Sequence, residues 1–180
     1  MLLVVDNGSI YTKNLTSFLT EKNISFEQQT PQILNLDSIS KYDSFILSGR
    51  RKNEKKVNEI NSKIIKHSIK NNNKLLGICY GAEILALTLG GTIRKSSKLQ
   101  KGNQSIQILI DNLICNNSVE VFESHSYEIS KLPSELESIA ESNNCKYEII
   151  QYKTKPIFGT QFHPEMSKDG NNLIEKFCSL

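Results

Sequence analysis

The sequence has no long hydrophobic run, no closely spaced cysteine pair and little net charge. No apolar stretch approaches the roughly 20 residues of a membrane span, and the apolar residues 2–5 are too few for the hydrophobic region of a signal peptide. The four cysteines form no CxxC pair, and no histidine lies near them at a zinc-ligand spacing. A net charge of +3 builds no strong field toward nucleic acid or an anionic membrane. We therefore expect a cytoplasmic protein with free thiols and no nucleic-acid or membrane partner.

The sequence also lacks any indication of a second domain. It has 180 residues, and a single core usually serves about 100 to 200 residues. No shift in composition, internal repeat or low-complexity linker interrupts it. We expect residues 1–180 to form a single domain.

The first half of the chain alternates short apolar runs with segments of helical periodicity. The pattern predicts strands over residues 2–5, 24–28, 45–47 and 75–78, and helices over residues 11–22 and 54–71. Such alternation favours an α/β fold with a mostly parallel sheet and helices on both faces.

The hydrophobic pattern changes after residue 91, where shorter segments of alternating apolar and polar residues are separated by turns rich in asparagine. They are predicted strands over residues 105–110, 119–122, 136–140 and 146–152. We interpret them as an antiparallel or mixed extension of the sheet. A last strand over residues 156–160 and a helix over residues 169–178 complete the prediction.

Cys79 is a candidate nucleophile because it directly follows a predicted buried strand and is flanked by Gly77 and Gly81. A sharp strand-to-helix turn strains the nucleophile and brings backbone segments close together, which residues without Cβ tolerate. The N-terminus of the following helix is expected to lower the pKa of the thiol. The alternative is that Cys79 is a small buried residue that ends a strand.

His163 is the candidate base for this nucleophile. It follows a predicted strand, Pro164 restricts the backbone after it, and Glu165 is close enough in sequence to accept a hydrogen bond from Nδ1 and set the tautomer. Cys79, His163 and Glu165 would then form a catalytic triad assembled from distant segments.

The two remaining histidines have weaker cases. His67 lies in a polar stretch of a predicted helix and is expected at the surface. His125 is expected in a loop with Ser126 and Tyr127. It either lies beside the substrate or satisfies local backbone groups, and the sequence leaves both open.

Four of these segments, in this order, resemble motifs of the class I (triad) glutamine amidotransferases, and the resemblance covers almost the whole chain. Residues 4–9 look like the family's first strand and loop, and residues 45–49 look like its oxyanion strand. Residues 77–81 are similar to its nucleophile motif, and residues 160–165 to its C-terminal triad motif. The resemblance implies a flavodoxin-like fold.

The resemblance also implies a reaction. Cys79 would attack the side-chain amide of glutamine and release ammonia, and water would then release glutamate from a γ-glutamyl thioester. His163 would act as base and acid, and Glu165 would orient it. No metal or organic cofactor is implied.

The resemblance further implies an ATP-dependent synthetase partner that receives the ammonia. Among subgroups, the chain resembles the separate glutaminase subunit of archaeal-type GMP synthase. Component II of anthranilate synthase and the glutaminase subunit of imidazole glycerol phosphate synthase remain open alternatives.

The site residues implied by the resemblance include two departures from the family pattern. The oxyanion hole would be formed by the backbone N–H groups of Tyr80 and Arg50, where the family normally has a second glycine at residue 50 and a proline after it. If that loop needs a positive φ, Arg50 is strained, and loss of one oxyanion donor typically costs about 2.7 to 4 kcal/mol in the transition state. Residues 50–56 are rich in Arg and Lys, and form either a solvated loop or a docking surface for an acidic partner.

The implied substrate-binding residues are Gly49, Glu83, Ser126 and Tyr127, the last two through backbone groups that hold the glutamine carboxylate. Glu83 stands where the family usually has glutamine, and a carboxylate there can still pair with a substrate ammonium. Folate γ-glutamyl hydrolases look similar at this position. A free-standing γ-glutamyl hydrolase, or a triad-bearing protein with low or partner-dependent activity, therefore stays open.

Overall fold

The computed structural model describes residues 1–116 and 118–180. Within these residues nine strands form one sheet in the order β2-β1-β3-β4-β9-β8-β7-β5-β6. The strands are β1 Leu2–Val5, β2 Phe26–Gln29, β3 Ser44–Leu47, β4 Lys74–Ile78, β5 Thr92–Ile108, β6 Val119–Lys131, β7 Leu136–Glu141, β8 Ile149–Tyr152 and β9 Ile157–Thr160. The helices are α1 Thr12–Glu21, α2 Lys55–Asn71, α3 Tyr80–Thr88 and α4 Lys168–Ser179.

Five strands, β2-β1-β3-β4-β9, form a parallel half of the sheet. Their order is that of a flavodoxin-like doubly wound sheet, in which ligands bind at the carboxyl ends of the strands. Since β3, β4 and β9 are neighbours, the residues that follow them meet at one edge.

The parallel half is covered on both faces. Leu2 and Val4 of β1 belong to a core shared with α1 and α4, whereas Leu3 and Val5 belong to a core shared with α2 and α3. All four side chains are buried, and burial of such a side chain is worth about 1.5 to 3 kcal/mol. Burial on both faces explains why the strand is a continuous apolar run, and the predicted arrangement is confirmed.

The other four strands form an antiparallel half, in which β8 pairs with β9, β7 with β8, and β5 with both β7 and β6. The predicted extension of the sheet is therefore confirmed, and β7 lies close to its predicted position, but the predicted lengths of two strands were wrong. The strands β5 and β6 have 17 and 13 residues, far more than the predicted segments 105–110 and 119–122. Most of β5 is exposed and polar, so the apolar alternation that marks a strand is missing there.

Smaller differences lie at element ends. Two short 3₁₀ helices, Leu36–Lys41 and Pro164–Met166, were not predicted. Strand β8 begins at Ile149 instead of residue 146. Across residues 1–116 and 118–180, no helix is both long enough and apolar enough to span a membrane.

Candidate active site

The turn between β4 and α3 holds Cys79 in a strained conformation. Its φ of 51° and ψ of −103° lie where residues with a Cβ are rarely found, at a cost of order 1 to 3 kcal/mol. The backbone N–H of Cys79 donates a hydrogen bond to the carbonyl of Thr160 at 2.7 Å, which ties the turn to the end of β9. Strain of this kind is concentrated at functional sites.

Two glycines make the turn possible. A Cβ on Gly77 would lie 2.4 Å from the carbonyl carbon and oxygen of Gly81. A Cβ on Gly81 would lie 2.4 Å from the carbonyl oxygen of Leu47. The backbones of β3, β4 and α3 therefore approach each other too closely for any larger residue, as the sequence pattern indicated.

The pKa of the Cys79 thiol corrects one expectation. The side chain keeps partial access to solvent, but the protein packed around it raises its pKa well above the ordinary value, and the carboxylates of Glu83 and Glu165 raise it further. A hydrogen bond from the backbone of Tyr80 lowers the pKa only in part. The expected lowering by the helix N-terminus was therefore wrong, and the resting form is the thiol.

His163 is held in one orientation by three contacts. Its Nδ1 lies 2.9 Å from Oε1 of Glu165, its backbone N–H donates to the carbonyl of Phe122 at 2.9 Å, and the Tyr11 ring packs edge-on with centroids 4.6 Å apart. Both His163 and Glu165 are buried. Because the carboxylate accepts a hydrogen bond from the Nδ1–H group, Nε2 of the neutral ring carries the lone pair and is left to act as a base.

The ends of β3, β4 and β9 bring Gly49, Cys79 and His163 to the same edge of the sheet. A Cβ on Gly49 would lie 2.9 Å from Cε1 of His163, so glycine at this position makes room for the imidazole. The structure thus brings together the candidate nucleophile, the candidate base and its orienting carboxylate.

The loop after β3 lies against this group without the backbone strain that was considered for it. Arg50 does not have a positive φ, so the conditional concern about a non-glycine residue there does not apply. Its guanidinium stacks on the ring of Tyr80, with Cζ 4.1 Å from the ring centroid. Residues 51–56 are exposed, so the whole basic segment except Arg50 faces solvent.

Glu83 lies in the first turn of α3 and is 5% exposed. Burial raises its pKa, while Arg50, Gln161 and His125 act in the opposite direction. The Nε2 atom of Gln161 lies 3.5 Å from Oε1 of Glu83. Glu83 is therefore a buried carboxyl group within reach of cationic and amide groups beside the nucleophile turn.

His125 lies inside β6, so the expectation of a loop was wrong. The imidazole is buried, with Nδ1 2.8 Å from the carbonyl oxygen of Tyr127 and Nε2 3.0 Å from Oε2 of Glu123. Burial opposes charging of the ring, but Glu123 outweighs it, and the pKa of His125 is raised. His125 therefore links a buried carboxylate to the backbone at Tyr127.

Ser126 and Tyr127 turn their side chains toward solvent. The carbonyl of Tyr127 also accepts from Nε2 of Gln161 at 3.3 Å. The pairing of β5 with β6 skips residues 96–99, so within the described pairing Ser126 has no partner on β5. The Tyr127 carbonyl is therefore engaged within the protein, whereas Ser126 lies at the register shift between β5 and β6.

Four contributors to the site were not assigned roles from sequence: Tyr11, Asn58, Glu123 and Gln161. The alternation of Glu123 and His125 two residues apart is a signal that both face the same side of a strand. The contacts of Tyr11 and Asn58 join segments far apart in the chain, and no local pattern indicates them.

Comparisons with known proteins identify the family of this chain. A family model described as glutamine amidotransferase class-I matches residues 3–179. One subunit of the glutamine-hydrolysing GMP synthase of Methanocaldococcus jannaschii is 31% identical over 191 residues, covering 100% of this chain and 97% of that protein. The corresponding subunit of Pyrococcus furiosus is 30% identical over 188 residues, covering 100% and 98%.

Solved structures give the same result. A Thermoplasma acidophilum protein described as a GMP synthase subunit superimposes with a TM-score of 0.87 at 27% identity, covering 99% of this chain and 92% of that chain. A glutamine amidotransferase from Thermotoga maritima has a TM-score of 0.79 at 21% identity, covering 97% and 80%, and supports the fold alone. With a family model that spans nearly its whole length, the chain belongs to the class-I glutamine amidotransferases.

Proposed function

We propose that this glutamine amidotransferase is the glutaminase subunit of a GMP synthase, and that residues 1–180 act as its single domain. Two relatives, each about as long as this chain, are separate subunits of a glutamine-hydrolysing GMP synthase. The observation that carries the proposed chemistry is the hydrogen-bonded pair of His163 and Glu165 beside the strained Cys79 turn.

The proposed reaction begins with the Cys79 thiol. Its sulfur attacks the side-chain carbonyl carbon of glutamine while Nε2 of His163 takes the thiol proton. The C–N bond then breaks, and ammonia leaves with that proton. Water attacks the γ-glutamyl thioester as His163 accepts a proton from it, and glutamate departs as the proton returns to the sulfur. The raised pKa of Cys79 makes this assistance by His163 necessary at neutral pH.

The negative oxygen of each tetrahedral intermediate would be bound by the backbone N–H groups of Tyr80 and Arg50. The N–H of Tyr80 already interacts with the Cys79 sulfur, so it lies beside the atom at which the new bond forms. Donors fixed in this way stabilise charge as it develops, at little reorganisation cost.

The two ends of glutamine would be bound by different halves of the sheet. Glu83, whose carboxyl group is buried beside the nucleophile turn, would pair with the substrate ammonium. The backbone groups of Ser126 and Tyr127, at the register shift between β5 and β6, would hold the carboxylate. Gly49 leaves the space in which the reacting amide meets His163.

The proposed partner is a separate ATP-dependent synthetase that receives the ammonia. The exposed Arg51 and Lys52 lie directly after the candidate oxyanion residue, where an acidic partner surface would contact the site's rim. The guanidinium of Arg50 is already hydrogen-bonded to Asn53 and Asn58, so we place this docking role on Arg51 and Lys52.

The proposal is tested by intact-protein mass spectrometry after exposure to an electrophilic glutamine analogue, with and without the synthetase, and with Cys79→Ala as control. We expect one adduct, absent from the variant and formed faster when the synthetase is present. A folded protein that forms no adduct in either condition would contradict the glutaminase proposal. Turnover of γ-glutamyl conjugates without glutamine turnover would instead identify a free-standing hydrolase.

A further inference from the structure

The side chain of Arg50 makes three contacts with neighbouring side chains. Its guanidinium lies over the Tyr80 ring at 4.1 Å, and Nη1 donates hydrogen bonds to Oδ1 of Asn53 at 2.7 Å and to Oδ1 of Asn58 at 2.9 Å. A planar guanidinium that is stacked and hydrogen-bonded at once loses most of its rotational freedom. This arginine therefore behaves as a structural connection and not as a solvated charge.

The contacts of Arg50 are joined into a closed network. The hydroxyl of Tyr80 donates to the same Oδ1 of Asn58 at 2.8 Å, and Nδ2 of Asn58 donates to Asn53 at 3.0 Å. We name these four side chains, Arg50, Asn53, Asn58 and Tyr80, the Arg50 clamp. The clamp links the loop after β3, the first turn of α2 and the first residue of α3.

Both ends of the clamp are residues whose backbone N–H groups are the candidate oxyanion donors. An oxyanion donor is effective when it lies about 2.7 to 3.1 Å from the position of the charged oxygen. Residues 50–54 contain neither glycine nor proline, so no proline ring restricts this loop. An isolated β-bridge between Arg50 and Gly8 restricts the backbone, and the side-chain contacts of Arg50 add the connection to α2 and α3.

We propose that Arg50 is a positioning residue whose side chain fixes the loop after β3 against the first residue of α3, and thereby holds both oxyanion donors at a constant spacing. The inference rests on the proposed glutaminase function and assigns a role to a side chain in addition to its backbone. The side chain of Arg50 acts through Tyr80 and through its own main chain, and does not itself touch the substrate.

A charge effect on Glu83 must be separated from this role, because the guanidinium also favours the ionised form of that carboxyl group. Two variants break the geometry while every charge is kept. Arg50→Lys retains the cation but loses the planar stacked fork, and Asn58→Ala removes the shared acceptor. If the charge mattered and the clamp did not, both variants would behave like the unmodified protein.

The test compares Arg50→Ala, Arg50→Lys and Asn58→Ala with Lys63→Ala, which removes an exposed cation from the same helix as Asn58. We expect kcat for glutamine hydrolysis to fall about ten- to a hundredfold in the first three variants, because displacement of reacting groups by about 1 Å costs up to that much. The rate of Cys79 alkylation by iodoacetamide, which forms no oxyanion, should change less than about threefold, as should KM. Lys63→Ala should match the unmodified protein throughout.

Different outcomes overturn different claims. Unchanged kcat in Arg50→Lys and Asn58→Ala overturns the positioning role and leaves the glutaminase function standing. An equal loss of alkylation and hydrolysis also overturns it, since the variants would then have damaged the whole site. If the unmodified protein hydrolyses no glutamine, even with the synthetase, the proposed function fails. Hydrogen exchange would still test whether the Arg50 clamp positions Tyr80. The positioning role requires that amide exchange at Tyr80 rises about tenfold in Arg50→Lys and Asn58→Ala and not in Lys63→Ala.

Discussion

The parallel and antiparallel halves of the sheet contribute to the site in different ways. In the parallel half, every residue of β1, β3 and β9 is buried, and Cys79 and His163 lie just beyond strand ends. In the antiparallel half, β5 and β6 are long, β5 is mostly exposed and β6 is buried only in part, and Glu123 and His125 project from within a strand. The reacting groups therefore come from the ends of buried strands. The backbone groups proposed to hold the glutamine carboxylate, at Ser126 and Tyr127, come from the middle of β6.

This difference has a physical basis. A parallel strand covered on both faces offers polar chemistry only where it ends. An antiparallel strand with one face inward can bury every second side chain, as β6 does with Val121, Glu123 and His125. Substitutions in the parallel half should therefore affect bond making, and substitutions in β6 should affect substrate affinity.

The largest expected effect comes from the same substitution made once in each half. In Gly81→Ala the new Cβ would meet the carbonyl oxygen of Leu47 at 2.4 Å, so the Cys79 turn must move. We expect kcat to fall more than about a hundredfold, with a stability loss of about 1 to 3 kcal/mol. Gly102→Ala in β5 meets no atom within 4 Å but has a φ of +118°, and should cost about 1 to 2 kcal/mol with little change in kcat.

Steady-state kinetics and urea unfolding of the two glycine variants measure both quantities. Similar destabilisation with very different kcat would show that the parallel half, and not overall stability, controls bond making. If kcat fell as much in Gly102→Ala as in Gly81→Ala, the claim that bond making depends on the parallel half would be wrong.

A smaller effect is expected from Glu123→Gln in β6. The variant keeps the shape of the side chain but removes the carboxylate that raises the pKa of His125 and, through the ring, supports the Tyr127 carbonyl. We expect KM for glutamine to rise about tenfold, equal to about 1.4 kcal/mol, while kcat changes little. Glu120→Gln, an exposed carboxylate of the same strand, is the matched control.

The pH dependence of this effect has a definite sign. A histidine pKa that is raised by folding contributes stability that is fully present below the unfolded value of about 6.5 and is lost as pH rises through the folded-state pKa. The stability difference between the unmodified protein and Glu123→Gln should therefore be largest at low pH. A His125 NMR titration that is the same in both proteins would contradict the assigned pairing.

The difference between the two halves also determines which strands and turns could be predicted from the sequence. Short apolar runs bounded by turn residues identified β1, β3, β4 and β9, because a strand buried on both faces must be apolar. The spacing of Gly77, Cys79 and Gly81 indicated the nucleophile turn, since its steric requirement is local. These features depend on neighbours in the sequence, and the structure has them at the predicted positions.

The features that were missed depend on distant contacts. The exposed faces of β5 and β6 carry polar residues, so no pattern marked their length. The stacking of Arg50 on Tyr80 joins the loop after β3 to the start of α3. The raised pKa of Cys79 comes first from burial and then from Glu83 and Glu165, and only the fold creates these surroundings. Sequence reasoning could assess the helix N-terminus at Cys79 but not the buried carboxylates around it.

A final expected effect concerns Glu148, which lies just before β8 and is 1% exposed. Burial and the charge of Glu123 raise its pKa to about 9, so the folded protein keeps a proton that an unfolded carboxyl group releases near pH 4.5. Stability should therefore fall as pH rises from about 4.5 to about 9. The glutamine side chain of Glu148→Gln cannot ionise, so we expect this variant to be about 1 to 2 kcal/mol more stable than the unmodified protein at pH 8. Urea unfolding at several pH values measures this difference. Glu59→Gln, at an exposed position on α2, should leave the pH profile unchanged. A profile for Glu148→Gln parallel to that of the unmodified protein would show that the antiparallel half does not hold this buried proton.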